Sequence, residues 1–250
     1  MRILLVNDDG IHSEGIHVLA KMLEKDHEIV IVAPEEQRSA QSQAITISKS
    51  LIVKEIELEG IKSKAYSVSG TPADCVRIAL DKLIEDPVDL VISGINMGLN
   101  AGMDILYSGT VSAAIEANIY SLPAMALSAE WIDGKIDYKL AAEHGKYILE
   151  KSKEDLVNNN IILSINTPYL EKEKIKGIKV CKIGGVVYDY YVMEDNGNKG
   201  EKLLKLQGRK DTKFEEDTDR FYLSQGYVTI TPLHYDLTNF NLLEKVESWI

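Results

Sequence analysis

Two adjacent aspartates follow the first apolar segment of the chain. Asp8 and Asp9 stand directly after Ile3-Leu4-Leu5-Val6 and before Gly10. Neighbouring carboxylates repel each other at neutral pH, and a turn requires only one such residue. The pair therefore indicates that a positive group lies between the two side chains. The alternative is that one carboxylate caps a helix that begins near Ser13.

Further polar segments follow later apolar segments. They are Gln37-Arg38-Ser39-Ala40, Ser69-Gly70-Thr71-Pro72 and residues 94–114, GINMGLNAGMDILYSGTVSAA. In a parallel sheet, the loops at the carboxyl ends of the strands converge on one edge, and ligands bind there. We therefore expect a hard, all-oxygen ligand set, which suits Mg²⁺, Mn²⁺ or Ca²⁺. Such a set would combine Asp8 and Asp9 with a hydroxyl such as that of Ser39 and an amide oxygen such as that of Asn96.

A second candidate site lies in Tyr107-Ser108-Gly109-Thr110-Val111, which opens a helical pattern. Free backbone N–H groups at the start of a helix bind phosphate, and hydroxyls supply further donors. The alternative is an ordinary Ser or Thr N-cap without a ligand. The spacing of Gly94, Gly98 and Gly102 favours backbone close to a ligand, although a tightly turned loop would need glycines too.

The apolar segments before these polar residues are typical of strands buried on both faces. They cover residues 3–6, 29–32, 90–92, 122–127 and 161–165. Helical patterns alternate with them at residues 14–25, 73–84, 110–119 and 138–152. This alternation predicts an α/β fold with a doubly wound, mainly parallel sheet.

The sequence pattern changes after residue 183. Glu194-Asp195-Asn196-Gly197-Asn198 places Asn-Gly between strand-like flanks, which indicates a β-hairpin. A strand is expected at residues 227–230, and residues 241–250 have a helical pattern with an apolar end, which we expect to dock on another subunit. The chain thus divides into a core at residues 1–183, a β-hairpin extension at residues 184–226 and a C-terminal arm at residues 227–250.

The net charge and the cysteine count of the chain limit its binding partners and the cellular compartment in which it works. A net charge of −11 argues against a nucleic-acid polymer or an anionic membrane as the main partner, because the electrostatic term has the wrong sign. Cys75 and Cys181 are too few for a disulfide framework and lack metal-site spacing, which favours a reducing compartment. No basic and apolar leader is visible, and no apolar run reaches the roughly 20 residues of a membrane span. We therefore expect a soluble, cytoplasmic protein.

Competing motifs are absent from the sequence. There is no G-x-G-x-x-G dinucleotide fingerprint after the first strand, no P-loop and no G-x-S-x-G nucleophile elbow. A phosphoacceptor receiver domain would share the paired acids, but Gly94 follows Asp89-Leu90-Val91-Ile92-Ser93 where such a domain has its aspartate. The reactive group of a receiver domain is therefore missing.

Several long motifs give the chain a strong resemblance to the SurE family, the survival protein E nucleotidases. The matching segments are VNDDGIHSEGI at 6–16, QRSA at 37–40, SGTPADCVRIAL at 69–80, SGINMGLNAGMDILYSGTVSAAIEA at 93–117 and GYVTITPLHYDLT at 226–238. An ordered set of this kind is more specific than one acidic pair. The resemblance implies a Rossmann-like core followed by a hairpin and a C-terminal arm that is exchanged between the subunits of a homodimer or homotetramer.

The resemblance also implies an activity and its residues. Asp8, Asp9, Ser39 and Asn96 match the family's divalent-metal ligands, and Ser108-Gly109-Thr110 matches its phosphate-side loop. The implied activity is metal-dependent hydrolysis of nucleoside 5′- and 3′-monophosphates, with polyphosphate as a further substrate for some members. One Mg²⁺ or Mn²⁺ ion per subunit is the implied cofactor, and Ca²⁺ is able to occupy the same site.

The expected mechanism is in-line attack on phosphorus by a water that the metal activates. Asp8 is expected to orient or deprotonate that water, while Asn96 and the Ser108–Thr110 loop hold the phosphoryl oxygens. Attack by the Asp8 carboxylate itself is the alternative mechanism. The alternative function is a non-catalytic, metal-dependent nucleotide-binding or regulatory module. Such a module would have the same metal-ligand residues, so the sequence does not distinguish it from an enzyme. His234 is expected to pack within the arm.

Overall fold

A computed structural model describes residues 1–186, 188–195, 198, 200–208 and 213–250. Its strands are β1 (Arg2–Val6), β2 (Glu28–Pro34), β3 (Val53–Ile56), β4 (Lys64–Val68), β5 (Leu90–Met97), β6 (Ala124–Ala129), β7 (Ile162–Thr167), β8 (Ile178–Val180), β9 (Tyr188–Glu194), β10 (Leu203–Gly208) and β11 (Val228–Leu233). Its α-helices are α1 (Glu14–Leu23), α2 (Pro72–Ile78), α3 (Gly109–Ile119), α4 (Tyr138–Asn158), α5 (Asp219–Ser224) and α6 (Leu243–Glu247).

A nine-stranded sheet forms the centre of the fold, in the order β3-β4-β2-β1-β5-β6-β7-β11-β8. Every neighbouring pair from β4 to β7 is parallel, whereas β3 and β11 run antiparallel to β4 and β7. This arrangement confirms the prediction of a doubly wound, mainly parallel sheet. Since the chain proceeds from β1 first to β2 and later to β5 on the other side, the sheet has a topological switch point between β1 and β5.

Both faces of β1 are buried, which explains its unbroken apolar sequence. Ile3 and Leu5 point into one core cluster with residues of α1 and α4, whereas Leu4 and Val6 point into the other with residues of α2 and α3. Successive side chains of a strand alternate between the two faces. Burial of each of these side chains stabilises the folded state by on the order of 1.5–3 kcal/mol. Packing on both faces therefore fixes the position of the end of β1.

The predicted helices are present with changed ends. Helix α4 continues to Asn158, and the helical pattern at 73–84 is divided into α2 and a π-helical turn at Ala79–Leu83. Several elements were not predicted, among them the edge strands β3 and β8 and the short helix α5. Strand β3 is mostly exposed and carries a lysine and a glutamate, so it lacks the apolar run that marks the central strands.

Strands β9 and β10 form a separate two-stranded antiparallel sheet, which confirms the predicted β-hairpin. Asn196 and Gly197 of its predicted turn lie outside the described residues. Strand β11 belongs to the central sheet, where it pairs with β7 and β8. The domain limits at 183 and 226 therefore remain predictions, and within the predicted arm only the chain after Leu233 leaves the sheet.

Nowhere in the described ranges is there a helix with both the length and the apolar character that crossing a membrane requires.

Candidate functional site

The turn that follows β1 is held by Asn7. Its buried side-chain amide donates to Gly10 O at 2.9 Å and to Ser13 Oγ at 2.7 Å, and its carbonyl accepts from Gly10 N. Gly10 has φ +96°, a conformation that side chains other than glycine's rarely adopt. Ser13 is the N-cap residue of α1. The helix-cap alternative for Asp8 and Asp9 is therefore wrong, and both carboxylates are directed to other partners.

Asp8 lies against the first turn of α3. It is 3% exposed, and its Oδ1 accepts a hydrogen bond from the hydroxyl of Thr110. Gly109 allows this approach, because a Cβ on that residue would lie 2.7 Å from Asp8 Cβ. Burial, with a smaller contribution from the charge of Asp9, raises the pKa of Asp8 to about 6 against the opposing effect of the hydrogen bonds from Thr110. Asp8 is thus a buried carboxylate that is still ionised at neutral pH.

Asp9 accepts hydrogen bonds from two other segments, the end of β5 and the loop after β2. Its Oδ2 accepts from the backbone N–H of Met97 at 2.8 Å, at the end of β5. Its Oδ1 accepts from Gln37 Nε2 at 3.3 Å, and the same Nε2 lies 3.0 Å from Ser39 Oγ. Burial raises the pKa of Asp9, although the bonds from Met97 and Gln37 act in the opposite direction. The loop after β2 and the end of β5 therefore meet at Asp9.

Asn96 is half-buried beside Met97 near the end of β5. Its side-chain Nδ2 donates to Gly98 O at 2.8 Å, which leaves its Oδ1 available as an acceptor. Asp8, Asp9 and Asn96 consequently stand at the switch point between β1 and β5, and the exposed Ser39 is linked to them through Gln37.

Two hydroxyl groups at the start of α3, those of Ser108 and Thr110, form different hydrogen bonds. Ser108 is the N-cap residue, and its Oγ accepts from Val111 N at 3.1 Å, so its hydroxyl serves as the ordinary cap that the sequence left open. The Thr110 hydroxyl is fully buried and donates to Asp8. The first-turn N–H groups of a helix have no intrahelical partner, so binding of phosphate by this turn stays a prediction that rests on its backbone.

The charges around Asp8 and Asp9 favour a bound cation. Within the described residues, neither carboxylate forms an ion pair with a lysine, arginine or histidine. Over the same residues there is also no group of three or more His, Cys, Asp or Glu side chains placed to hold a metal. The candidate set contains only two carboxylates, and it depends on the hydroxyl of Ser39 and the amide oxygen of Asn96. Such oxygens fit a hard divalent ion, which would compensate the two negative charges.

Sequence reasoning assigned no role to Gln37 or Tyr138. Gln37 lies in the QRSA segment, but only the structure shows that it joins Asp9 to Ser39. Tyr138 begins α4; burial first, and then the charge of Asp9, raises the pKa of its phenol to about 12. Nothing in the spacing of Tyr138 relates it to Asp9, because they come together only through packing of α4 on the sheet.

His234 lies apart from this site. It is exposed and lines a mainly apolar cleft of about 840 Å³ together with residues such as Ile115, Val180 and Leu237. None of the predicted metal-ligand or phosphate-binding residues lines that cleft. The prediction that His234 packs within the arm is left untested by this position.

Comparison with known proteins places the chain in a family. The family model described as Survival protein SurE matches residues 3–189. The chain belongs to the SurE family. It is 52% identical to a protein named 5′-nucleotidase SurE from Clostridium botulinum (strain ATCC 19397 / Type A), over 99% of this chain and 98% of that relative. It is 50% identical to the 5′-nucleotidase SurE of Clostridium tetani (strain Massachusetts / E88), over the whole of both chains.

The fold agrees with a solved SurE structure. The crystal structure of the SurE protein from Aquifex aeolicus has a TM-score of 0.88 and 35% sequence identity, and the match covers 100% of this chain and 99% of that chain. The hairpin strand β10 and the C-terminal elements fall outside residues 3–189, but these full-length matches include them. The SurE family therefore accounts for the whole chain.

Proposed function

We propose that this SurE-family protein is a 5′-nucleotidase that hydrolyses nucleoside 5′- and 3′-monophosphates with the aid of a divalent metal ion. The observation that carries the proposal is the position of Asp8 and Asp9, two partly or fully buried carboxylates at the switch point beside the first turn of α3. The name of the relatives, 5′-nucleotidase SurE, supports the nucleotide as substrate. Polyphosphate is a further proposed substrate.

In this proposal, Asp8, Asp9, Ser39 and Asn96 hold one Mg²⁺ or Mn²⁺ ion. Such an ion would offset the negative charge of the phosphate and lower the pKa of a coordinated water. Thr110 acts through Asp8, because its hydroxyl and backbone hold the carboxylate in place. Gln37 holds Asp9 and Ser39 in one arrangement.

The chain's own groups orient the reaction. Asp8 accepts or directs the proton of the water that attacks phosphorus. The Oδ1 of Asn96 is an acceptor and suits the metal. Its Nδ2 donates one hydrogen to Gly98 O, so the second Nδ2 hydrogen is the one that would contact phosphoryl oxygens. The first turn of α3 supplies backbone N–H groups and the positive end of the helix dipole, which stabilise negative charge on the phosphoryl oxygens.

Attack by the Asp8 carboxylate on phosphorus is the alternative chemistry. It would leave an acid-labile phosphoryl group on Asp8, which rapid quenching and mass spectrometry would detect. Recovery of that adduct during turnover would replace the water mechanism, and its absence under rapid quenching supports attack by water.

The decisive experiment measures phosphate release from a panel of nucleoside monophosphates and polyphosphate. EDTA-treated protein is assayed before and after addition of Mg²⁺ or Mn²⁺. Asp8→Asn is compared with Glu14→Gln, a control that removes an exposed carboxylate from the nearby helix α1. We expect metal to restore activity in wild type and in the control, and Asp8→Asn to lose roughly a hundredfold or more. Full activity in EDTA would refute the metal mechanism, and nucleotide binding without phosphate release would favour the binding module.

We further propose that two copies associate through the hairpin and the C-terminal segment. Large apolar side chains of both are exposed, among them Tyr191, Met193, Leu204, Leu237 and Phe240. Exposed apolar surfaces of this kind are usually covered by a partner. Light scattering of wild type and of Leu237→Asp should show a dimer or tetramer in the first and a smaller species in the second.

A further inference from the structure

A short turn follows β6, next to the candidate site. Ile132 and Lys135 exchange two backbone hydrogen bonds, of 3.0 and 2.9 Å, around Asp133 and Gly134. Both turn residues have positive φ, +49° for Asp133 and +78° for Gly134. These are the features of a two-residue type I′ turn. Trp131 lies directly before this turn and shortly after the last residue of β6, Ala129.

Trp131 lines a cleft of about 480 Å³ that begins at the proposed metal site. Asn96 and Met97 form the wall from β5, and Glu130 and Trp131 form the wall that continues β6. The two walls are in register, because Met97 pairs with Ala129 and Gly98 N donates to Ala129 O at 2.8 Å. A cleft of this volume is in the usual range for a small-molecule site.

The far side of the cleft is polar. The guanidinium of Arg220 donates to Asp104 at 2.6 Å, and both residues line the cleft. Glu130 is held by the backbone N–H of Tyr169, which donates to its Oε2 at 2.9 Å. The cleft thus combines a large aromatic surface with fixed polar groups, an arrangement suited to a flat heteroaromatic molecule that has hydrogen-bonding edges.

Trp131 and Met97 supply apolar surface at the mouth of this polar site. Trp131 is 54% exposed and Met97 is 47% exposed. A single exposed apolar side chain is common on protein surfaces. Here, however, two such side chains line the cleft that also contains Asn96, a proposed contact of the metal and the phosphate. An indole ring in that place offers a flat face to the rest of a substrate whose phosphate is bound at Asp8, Asp9 and Asn96.

We propose that Trp131 stacks on the nucleobase of the substrate and makes the protein favour purine over pyrimidine nucleotides. The inference rests on the proposed function, which places the phosphate beside Asn96. A purine presents a larger π-face than a pyrimidine, so stacking on the indole favours it. Stacking acts equally on the bound substrate and the transition state, so Trp131 determines KM for the nucleotide and leaves kcat nearly unchanged.

The first test compares Trp131→Ala with wild type on AMP, CMP and ribose 5-phosphate, which lacks a base. Tyr147→Ala is the matched control, because Tyr147 is also 54% exposed but lies within α4. We expect KM for AMP to rise about tenfold in Trp131→Ala, since base stacking on an aromatic side chain is worth that order of affinity. KM for CMP should rise less, ribose 5-phosphate should be unaffected, and Trp131→Phe should recover part of the loss. An unchanged KM for AMP, or an equal loss on ribose 5-phosphate, would overturn the proposal.

The second test does not depend on hydrolysis. The chain has two tryptophans, Trp131 and Trp249, so Trp249→Phe leaves Trp131 as the only indole fluorophore. Adenosine should quench its emission in a saturable way, and ribose should not. If no nucleotide is hydrolysed yet adenosine quenches Trp131, the proposed function fails and the stacking site stands. If nucleotides are hydrolysed and adenosine leaves Trp131 unquenched, the stacking site fails alone.

Discussion

The carboxylate of Asp8 accepts a hydrogen bond from the hydroxyl of Thr110, which lies 102 residues later in the chain. This bond joins the turn after β1 to the first turn of α3. Asp8 is nearly inaccessible to solvent, so the hydroxyl replaces water as a donor to the carboxylate. The geometry makes Thr110 a positioning residue for Asp8 and places a helix N-terminus beside a buried negative charge.

Replacing Thr110 by valine should therefore impair turnover and leave the fold intact. The variant keeps a similar volume but leaves a buried carboxylate oxygen without its donor. We expect kcat for AMP to fall about tenfold or more, because an unsatisfied buried acceptor costs on the order of 1–3 kcal/mol. Steady-state kinetics with saturating Mn²⁺ measure this. Thr110→Ser, which keeps the hydroxyl, should recover most of the activity; equal kcat in the valine and serine variants would contradict the positioning role.

Asp8 should also destabilise the metal-free protein at neutral pH. Its pKa in the folded protein is about 6, above the ordinary value of 3.8, so the folded state binds the proton more tightly than the unfolded state. Stability from this group is therefore present below pH 3.8 and is lost as pH rises through 6. In EDTA at pH 7, Asp8→Asn should be more stable than wild type by up to about 3 kcal/mol.

Urea unfolding of both proteins across the acid range measures this difference. The advantage of Asp8→Asn should shrink as pH falls through 6 and vanish well below pH 3.8, where Asp8 is protonated in both states. An advantage that is independent of pH would show that packing, rather than the buried charge, distinguishes the two proteins.

Gln37→Ala should weaken metal binding without removing a ligand. The side chain of Gln37 holds Asp9 and Ser39 in a fixed relation. Loss of an outer partner of a metal ligand typically lowers affinity about 10- to 100-fold. The concentration of Mn²⁺ that gives half-maximal activity should rise accordingly, while kcat at saturating Mn²⁺ stays close to wild type. Gln41→Ala, in the same loop, is the control; an equal shift in both variants would point to the loop as a whole.

Gly109→Ala should disturb the candidate site through a steric clash between the added methyl group and Asp8. The added Cβ would lie 2.7 Å from Asp8 Cβ and 2.9 Å from Asp8 Oδ2, so the turn after β1 must move. We expect a loss of about 1–3 kcal/mol in unfolding free energy and a marked loss of activity. Gly185→Ala is the matched control, because a Cβ there would meet nothing within 4 Å. An unfolding temperature that is unchanged in Gly109→Ala would contradict this prediction, because it would show that the turn after β1 moves without loss of stability.

The sequence alone was sufficient to predict the strands that are buried on both faces of the sheet. Strands β1, β5 and β6 have unbroken apolar sequences because helices cover the sheet on each side, and polar residues directly after them mark the site. Strand β3 escaped prediction because an exposed edge strand needs no apolar pattern. The short helix α5 escaped prediction because its 6 residues make fewer than two turns, which is too short to show a helical period.

The proximity of the candidate residues was predictable from the sequence, whereas the hydrogen bonds between them were not. Asp8, Asp9 and Asn96 follow apolar strands, so topology alone brings them to one edge. The bond from Thr110 to Asp8 and the bridge from Gln37 to Ser39 depend on side-chain directions that no spacing encodes. Contact of Thr110 with phosphate stays a prediction, and the bond from its buried hydroxyl to Asp8 was not foreseen.

The proposed base contact, Trp131, lies between the end of β6 and the type I′ turn at Asp133 and Gly134. The turn closes on itself through the two bonds between Ile132 and Lys135, and β6 ends before it at Ala129. A segment of this kind tolerates exchange far better than the strand it follows. Among proteins that share this scaffold, preference for a base could therefore diverge by replacement of one short loop while the phosphate chemistry is inherited unchanged.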